Sequence, residues 1–325
     1  MAKAALARVL YPVERWLDRL RPKRRTDNLV IDPYLGYATA SEIILRGRVL
    51  TALRRTNPSP EGSWWTNLRQ MLSLFLTREV ADICVTAGGT EARTDEEGYF
   101  DLHLPREDAA AGWVSVPVTV EDGESRELEA LVPPHDPPFA VISDIDDTVL
   151  QTGAYSLLRN LWTSLTGNAL TRHIFPDAVA LVRGFEAAGA PVFFVSSSPW
   201  NLHFFLRRIF ERHHMPKAPM FLRDLGLSRT QFISGTHGDH KGGSIDVLLA
   251  ALPETPFVLV GDTGQHDPQV YLDAAKRHPG RITRVILREP GKGAGAKDKA
   301  AMKALEAIDV RVESARDFSK ISPVG

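Results

Sequence analysis

Three carboxylates stand within four residues at Asp144-Ile145-Asp146-Asp147, one residue beyond the apolar run Phe139-Ala-Val-Ile142. A short, continuously apolar run reads as a strand buried on both faces, the kind found at the centre of a parallel sheet. Ending such a strand in several anions is costly unless a cation or a reaction uses them. Open α/β sheets bind ligands beyond the carboxyl ends of their strands, which is where these side chains fall. The competing reading is an acidic turn with helix-capping Asp and Thr. A second apolar run, Phe257-Val-Leu-Val260, is also followed by carboxylates, Asp262 and Asp267. Two strands with the same ending weigh against a mere acidic turn.

A third run, Pro191-Val-Phe-Phe-Val195, leads into Ser196-Ser197-Ser198-Pro199-Trp200 and a helical stretch, Asn201–His213. Hydroxyls and backbone N–H groups at such a junction can hold an anion. Ser198 and Pro199 also suit a plain helix start, as N-cap and first-turn residue. Lys241 stands just before a helix expected from about Gly242 to Ala251, a place for a cation that neutralises a phosphate; a solvated lysine is the alternative. His237, Asp239 and His240 match no standard ligand spacing and are read as part of a loop over 235–241.

Together these residues suit phosphoryl transfer. Clustered Asp oxygens make a hard site, and Mg²⁺ suits a few carboxylates plus phosphate oxygens. A carboxylate nucleophile gives an aspartyl-phosphate and splits one difficult hydrolysis into two steps. A second Asp two residues on can protonate the leaving alcohol and later activate water. A hydroxyl and a Lys would stabilise the phosphoryl oxygens.

The motifs also carry a resemblance. Asp144-Ile-Asp146-Asp147-Thr148, Val195-Ser196, Lys241 and Gly261-Asp262 with Asp267 resemble the four motifs of the haloacid dehalogenase superfamily of phosphotransferases. More narrowly, Ser143–Thr148, Val195–Trp200, His240-Lys241 and Gly261–Asp267 with Tyr271 resemble the App1-type phosphatidate phosphatase family, related to the lipins. The likeness runs closely from Pro138 to Arg288. Tyr34-Leu-Gly-Tyr37 and Arg46-Gly-Arg-Val49 also resemble the β-domain that precedes it in bacterial members. The resemblance implies Asp144 as nucleophile and Asp146 as general acid and base. It implies Mg²⁺ on the Asp144 carboxylate, the Asp146 main-chain carbonyl and Asp262, with Asp267 behind these ligands or among them. Ser196, or its neighbour Ser197, would bind the phosphoryl group, Lys241 would pair with the phosphate and Asp144, and Thr148 would orient the loop on the substrate side. The implied activity converts phosphatidate to diacylglycerol and phosphate.

The elements that must position these groups form an α/β chain. A Rossmann-like parallel sheet of the haloacid dehalogenase type with a minimal cap is expected over 136–325. A small β-sandwich-like domain is expected over 27–135, and a basic amphipathic helical segment over 1–26. In the β-rich part, Ile43–Thr51, Asp82–Ala87, Tyr99–Leu104, Trp113–Val120 and Glu127–Val132 read as strands, with turns at Gly88-Gly89 and Glu97-Gly98. A helical stripe over Trp64–Arg78 reads as core, and Pro133–Pro138 as a stiff linker. In the second part, helices are expected over Gln151–Thr171, Pro176–Ala188 and Lys299–Ile308, and Phe232–Ser234 leads into the lysine loop. Gly291–Lys297 is no phosphate loop, because Ala296 and Asp298 replace required residues.

Leu6, Val9, Leu10, Val13, Trp16, Leu17 and Leu20 form one helical stripe, beside eight basic residues among the first 25. Such a helix suits an anionic membrane surface; packing on the chain's own second domain is the alternative. Pro12 either kinks it or opens it. A net charge of −1 over 325 residues argues neither for nor against an anionic partner, and no nucleic acid is expected. Cys84 is the only cysteine, which excludes an intrachain disulfide framework and fits a reducing compartment. No apolar stretch reaches about 18 residues, and the N-terminus lacks a secretory core. A cytoplasmic protein, peripheral at the inner face of the membrane, is expected.

Thr148 to Pro191 leaves room for only a couple of cap helices, and a site left open suits a large or membrane-embedded substrate. Phe204, Phe205, Leu206 and Phe210 are either an acyl-chain contact or core. A Mg²⁺-dependent phosphatidate phosphatase is therefore the leading expectation. A phosphatase for soluble or protein-borne phosphomonoesters is the rival enzyme. A non-catalytic membrane- or protein-docking module is the rival from another class, against which the intact Asp144/Asp146 pair argues.

Overall fold

A computed structural model describes residues 29–51, 80–151, 174–223 and 237–324, apart from positions 108, 122, 265, 290 and 292. The expectations for 1–26, for the helices over 64–78 and 151–171, and for 232–234 lie outside the described residues.

Seven strands form the first sheet: β1 (Val30–Ala38), β2 (Glu42–Leu50), β3 (Cys84–Ala87), β4 (Thr90–Arg93), β5 (Tyr99–Pro105), β6 (Gly112–Val120) and β7 (Ser125–Val132). They pair in the order β4-β3-β6-β7-β1-β2-β5, antiparallel except for β1 beside β7. The end strands β4 and β5 lie against each other. The sheet thus curls around its own core, which includes Ile31, Leu45, Val85, Leu102, Val118 and Leu128. One curled mixed sheet stands where a two-sheet sandwich was expected. Gly88 and Gly89, both at positive φ (55° and 79°), make the two-residue turn between β3 and β4, a conformation glycine adopts without steric cost.

In β1 the pairing register shifts between Tyr34 and Tyr37. Such a bulge changes which side chains share a face. Ile31 and Ala38 consequently both point into the sheet's own core, while Tyr34 and Tyr37 both turn outward into the second domain. Gly36 sits inside the bulge, where a Cβ would lie 2.2 Å from the Ile44 carbonyl oxygen.

The second sheet contains β8 (Ala140–Ser143), β9 (Val192–Pro199), β10 (Met220–Arg223), β11 (Phe257–Asp262), β12 (Ile282–Arg288) and β13 (Arg311–Ala315). All pairs are parallel, in the order β10-β9-β8-β11-β12-β13. Helices cover both faces: α1 (Pro176–Ala187) and α2 (His203–Arg212) on one, α3 (His237–Ala251), α4 (Asp267–Arg277) and α5 (Ala296–Glu306) on the other. Both faces of β8 and β11 are therefore buried, as their continuous apolar runs require. The chain winds from β8 through β9 to β10 and then crosses to β11 on the opposite side of β8. That reversal opens the crevice beyond the strand ends in which such sheets bind ligands.

Two local expectations change. Helix α3 starts at His237, so 237–241 are helical rather than a loop, and Lys241 sits in the second turn. Gly242-Gly243 had signalled a start, but Ile245, Leu248 and Leu249 dock on the sheet, and packing of that face outweighs glycine's weak propensity. A 3₁₀ turn, Trp200–Leu202, precedes α2. Leu206 and Phe210 are core, Phe210 lying edge-on to Phe194 at 4.9 Å, and Phe205 packs against them. No helix among the described residues is long and apolar enough to cross a membrane.

Candidate active site

Beyond the end of β8, the Asp144 N–H donates to the Val260 carbonyl (2.8 Å), so the nucleophile candidate is still anchored to the sheet. The chain then turns sharply. Asp147 adopts a left-handed φ of 57°, which Asp tolerates better than most residues, and Val149 and Leu150 N–H both donate to the Ile145 carbonyl. This turn returns the Thr148 hydroxyl to Asp144 Oδ2 at 3.3 Å. Thr148 thus touches the nucleophile candidate itself and fixes its rotamer.

Lys241 reaches the same point from α3. Its Nζ lies 2.8 Å from Asp144 Oδ1 and 2.5 Å from Asp267 Oδ1, with all three side chains almost fully buried. Burial alone would discharge the lysine, but the two carboxylates outweigh it and hold the ammonium charged, above its ordinary range. Burial conversely pushes the Asp144 carboxyl well up, with Lys241 opposing and Asp267 reinforcing the rise. Asp267, first residue of α4, also accepts the Asp262 N–H through Oδ2 (3.2 Å). Behind it the Tyr271 hydroxyl donates to the Val260 carbonyl (2.9 Å). The close approach of these groups needs Gly261: a Cβ there would lie 2.5 Å from both Asp267 Oδ2 and the Tyr271 hydroxyl.

Asp144, Asp262 and Asp267 each offer an oxygen within 4.8 Å of the others. Asp262 Oδ1 accepts the Gly264 N–H at 2.5 Å, whereas buried Oδ2 has no hydrogen-bond partner among the described residues. Burial first, and Asp267 second, push the Asp262 carboxyl up to about 8. Three buried carboxylates facing one ammonium, with an orphaned oxygen among them, fit a hard divalent cation.

Asp146 points elsewhere. Its Oδ2 accepts two hydroxyls, Ser196 Oγ at 2.8 Å and Ser198 Oγ at 2.9 Å, and the Ser198 N–H donates to Ser196 Oγ at 3.0 Å. Burial raises its proton affinity and the two serine bonds only partly offset this, the condition expected of a general acid. The structure therefore brings Asp144, Asp146, Thr148, Ser196, Lys241, Asp262 and Asp267 together. It sets Ser198 rather than Ser197 beside Ser196: alternate residues of a strand share a face, and Ser197 takes the other.

Arg288, which the sequence reading passed over, closes the far side. Its guanidinium lies between the rings of Phe175 and Phe318, at 4.1 Å from each. It donates to the Thr148 carbonyl (3.0 Å), the Arg316 carbonyl (2.9 Å) and Asp177 Oδ2 (2.7 Å). The turn over 144–150 is thereby fastened to the C-terminal segment. Its only signal in the sequence was its place at the end of an apolar strand.

The comparisons with known proteins fall on this part of the chain. Residues 139–289 match the family model described as phosphatidate phosphatase APP1, catalytic domain. That segment is similar to the App1 catalytic domain. The Saccharomyces cerevisiae protein named phosphatidate phosphatase APP1 is 27% identical over 151 residues, 46% of this chain and 26% of that protein. An uncharacterised protein of Schizosaccharomyces pombe is 30% identical over 152 residues, 46% of this chain and 25% of that protein. The chain thus spans about a quarter of the length of these relatives. A solved HAD family hydrolase from Deinococcus radiodurans, with bound phosphate and sodium, covers 56% of this chain and 93% of its own. It is 17% identical, with a TM-score of 0.35. The matched segment holds every candidate site residue named above and excludes the whole of the first sheet.

Proposed function

We propose that the chain is a Mg²⁺-dependent phosphatidate phosphatase, releasing diacylglycerol and phosphate through an aspartyl-phosphate. The observation that carries this reading is the division of labour between the two carboxylates. Asp144 is held beside a buried cation, and Asp146 is held by two serine hydroxyls two residues away. Asp144 Oδ forms a bond to phosphorus as the bond to the alcohol oxygen breaks, and Asp146 delivers its proton to that oxygen. Water then attacks the phosphoryl group, returns a proton to Asp146 and frees Asp144 with release of phosphate. Lys241 neutralises the phosphoryl oxygens and orients Asp144. Asp144, Asp262 and the Asp146 main-chain carbonyl would hold Mg²⁺, with Asp267 beside them; when bound, the ion masks carboxylate charge and stabilises the phosphoryl oxygens.

The lipid substrate is supported by the App1 match and by the basic amphipathic pattern of residues 1–25, which suits an anionic membrane surface. The test is phosphate release with Mg²⁺ from phosphatidate in mixed micelles and from soluble phosphomonoesters. Wild type is expected to prefer the micelles, and Asp144→Asn to lose about four orders of magnitude or more, in line with removal of a covalent nucleophile. Better turnover of the soluble esters would move the substrate to that class. Full activity in Asp144→Asn would sink the mechanism.

A further inference from the structure

The serines that hold Asp146 lie where their strand has outrun its neighbours. On one side β8 pairs with β9 only as far as Ser143 opposite Phe194. On the other, the β10 ladder is regular to Phe221 opposite Val195 and then shifts register before Arg223 opposite Pro199. A strand end without a regular ladder leans on its side-chain contacts for position. The packing here centres on Trp200, directly after Pro199, and the other domain contributes two of the groups that face its ring. The Tyr34 ring stacks on the Trp200 ring (centroids 4.5 Å apart, planes at 22°). The Arg46 guanidinium lies over Trp200 at 5.1 Å and over Phe221 of β10 at 4.9 Å. Arg46 is itself held by Asp101 of β5 at 3.1 Å. His203, opening α2, meets Tyr34 edge-on at 4.6 Å.

We propose that Tyr34 and Arg46 are positioning residues for the reaction: they clamp Trp200 and so set Ser196 and Ser198 against Asp146. The β-rich domain is then a working part of a catalytic centre that lies wholly in the other domain. The inference rests on the phosphatase reading, with Asp146 as the proton donor. It has a kinetic signature that loss of folded protein lacks. Protonation of the leaving group matters most for a poor leaving group such as an alkoxide and least for a nitrophenolate. Misplacing Asp146 should therefore depress turnover of alkyl phosphates selectively.

The experiment uses the full chain with Mg²⁺ and compares kcat/KM for an alkyl phosphate and for p-nitrophenyl phosphate on the same preparations. Ser198→Ala, which removes one hydroxyl from Asp146, sets the benchmark for a selective loss. Tyr34→Ala and Arg46→Ala are expected to lower the alkyl rate by about tenfold more than the aryl rate, while Tyr34→Phe, which keeps the stacked ring, stays near wild type on both. Equal losses on both esters, or no loss on either, would overturn the inference and leave the phosphatase reading standing. Failure of wild type to release phosphate from either ester would overturn both together.

Discussion

At the residue scale, the site places one cation among acids that would otherwise repel one another. Lys241 Nζ touches Asp144 and Asp267 at once, in surroundings nearly closed to solvent. Removing one partner from a buried ionic cluster leaves the others uncompensated, which costs about 3–5 kcal/mol. Lys241→Met should therefore destabilise the metal-free protein by about that amount in urea titrations, and should abolish phosphate release. An unchanged urea midpoint would mean that the ion pair contributes nothing to the fold. The site was largely legible residue by residue, because buried runs ending in carboxylates have few bland explanations. The serines were less so. A run of three gives no indication of which two face inward until the strand's phase is known, and the hydroxyl most readily dismissed as a helix cap, Ser198, proves to be on Asp146. Arg288 was invisible because its partners, two main-chain carbonyls and the Asp177 carboxylate, lie far away in sequence.

At the element scale, geometry is set by close approach. The end of β11 meets the start of α4 across Gly261, with Asp267 and Tyr271 filling the space a side chain would need. Gly261→Ala forces these groups apart, and overpacking of this kind costs about 1–3 kcal/mol. The expected outcome is a lowered melting temperature together with loss of phosphate release, since Asp267 is a partner of Lys241. Retained activity would show that the α4 terminus can shift without disturbing the site. Strands β1, β4, β10, β12 and β13 escaped the sequence reading, and for three of them the reason is physical. β10 has four residues, β4 has four, and β13 (Arg-Val-Glu-Ser-Ala) is an edge strand of mixed polarity, so none shows a sustained period. Helix α3 was begun too late because two glycines look like a break until the face they continue is seen packed.

At the scale of the whole molecule, the two sheets share their apolar interior. Tyr34 belongs to the cluster on one face of the parallel sheet, and Tyr37 and Ile44 to the cluster on the other. Tyr37 meets Phe221 at 5.2 Å, and Lys217 joins Glu129 at 2.6 Å while lying over Trp113. Contacts that complete both cores should couple their unfolding. Calorimetry of the wild type is expected to give one transition, and Tyr37→Ala to lower stability by about 3–5 kcal/mol, as for other large aromatic truncations in a core. Two well-separated transitions in the wild type would mean that each sheet is stable without the other.

The bulge in β1 makes this joint a matter of counting. A regular strand cannot place residues three apart on one face, yet Tyr34 and Tyr37 share one because the ladder slips between them around Gly36. Pairing the same residues without that slip would leave composition and strand length unchanged while turning Tyr37 into the wrong interior. When other chains of this kind are aligned, the diagnostic of the shared joint is therefore a spacing: two aromatics three apart, with a glycine between them. A sequence with the two rings two apart would present both on one face from a regular strand and would need neither the slip nor the glycine.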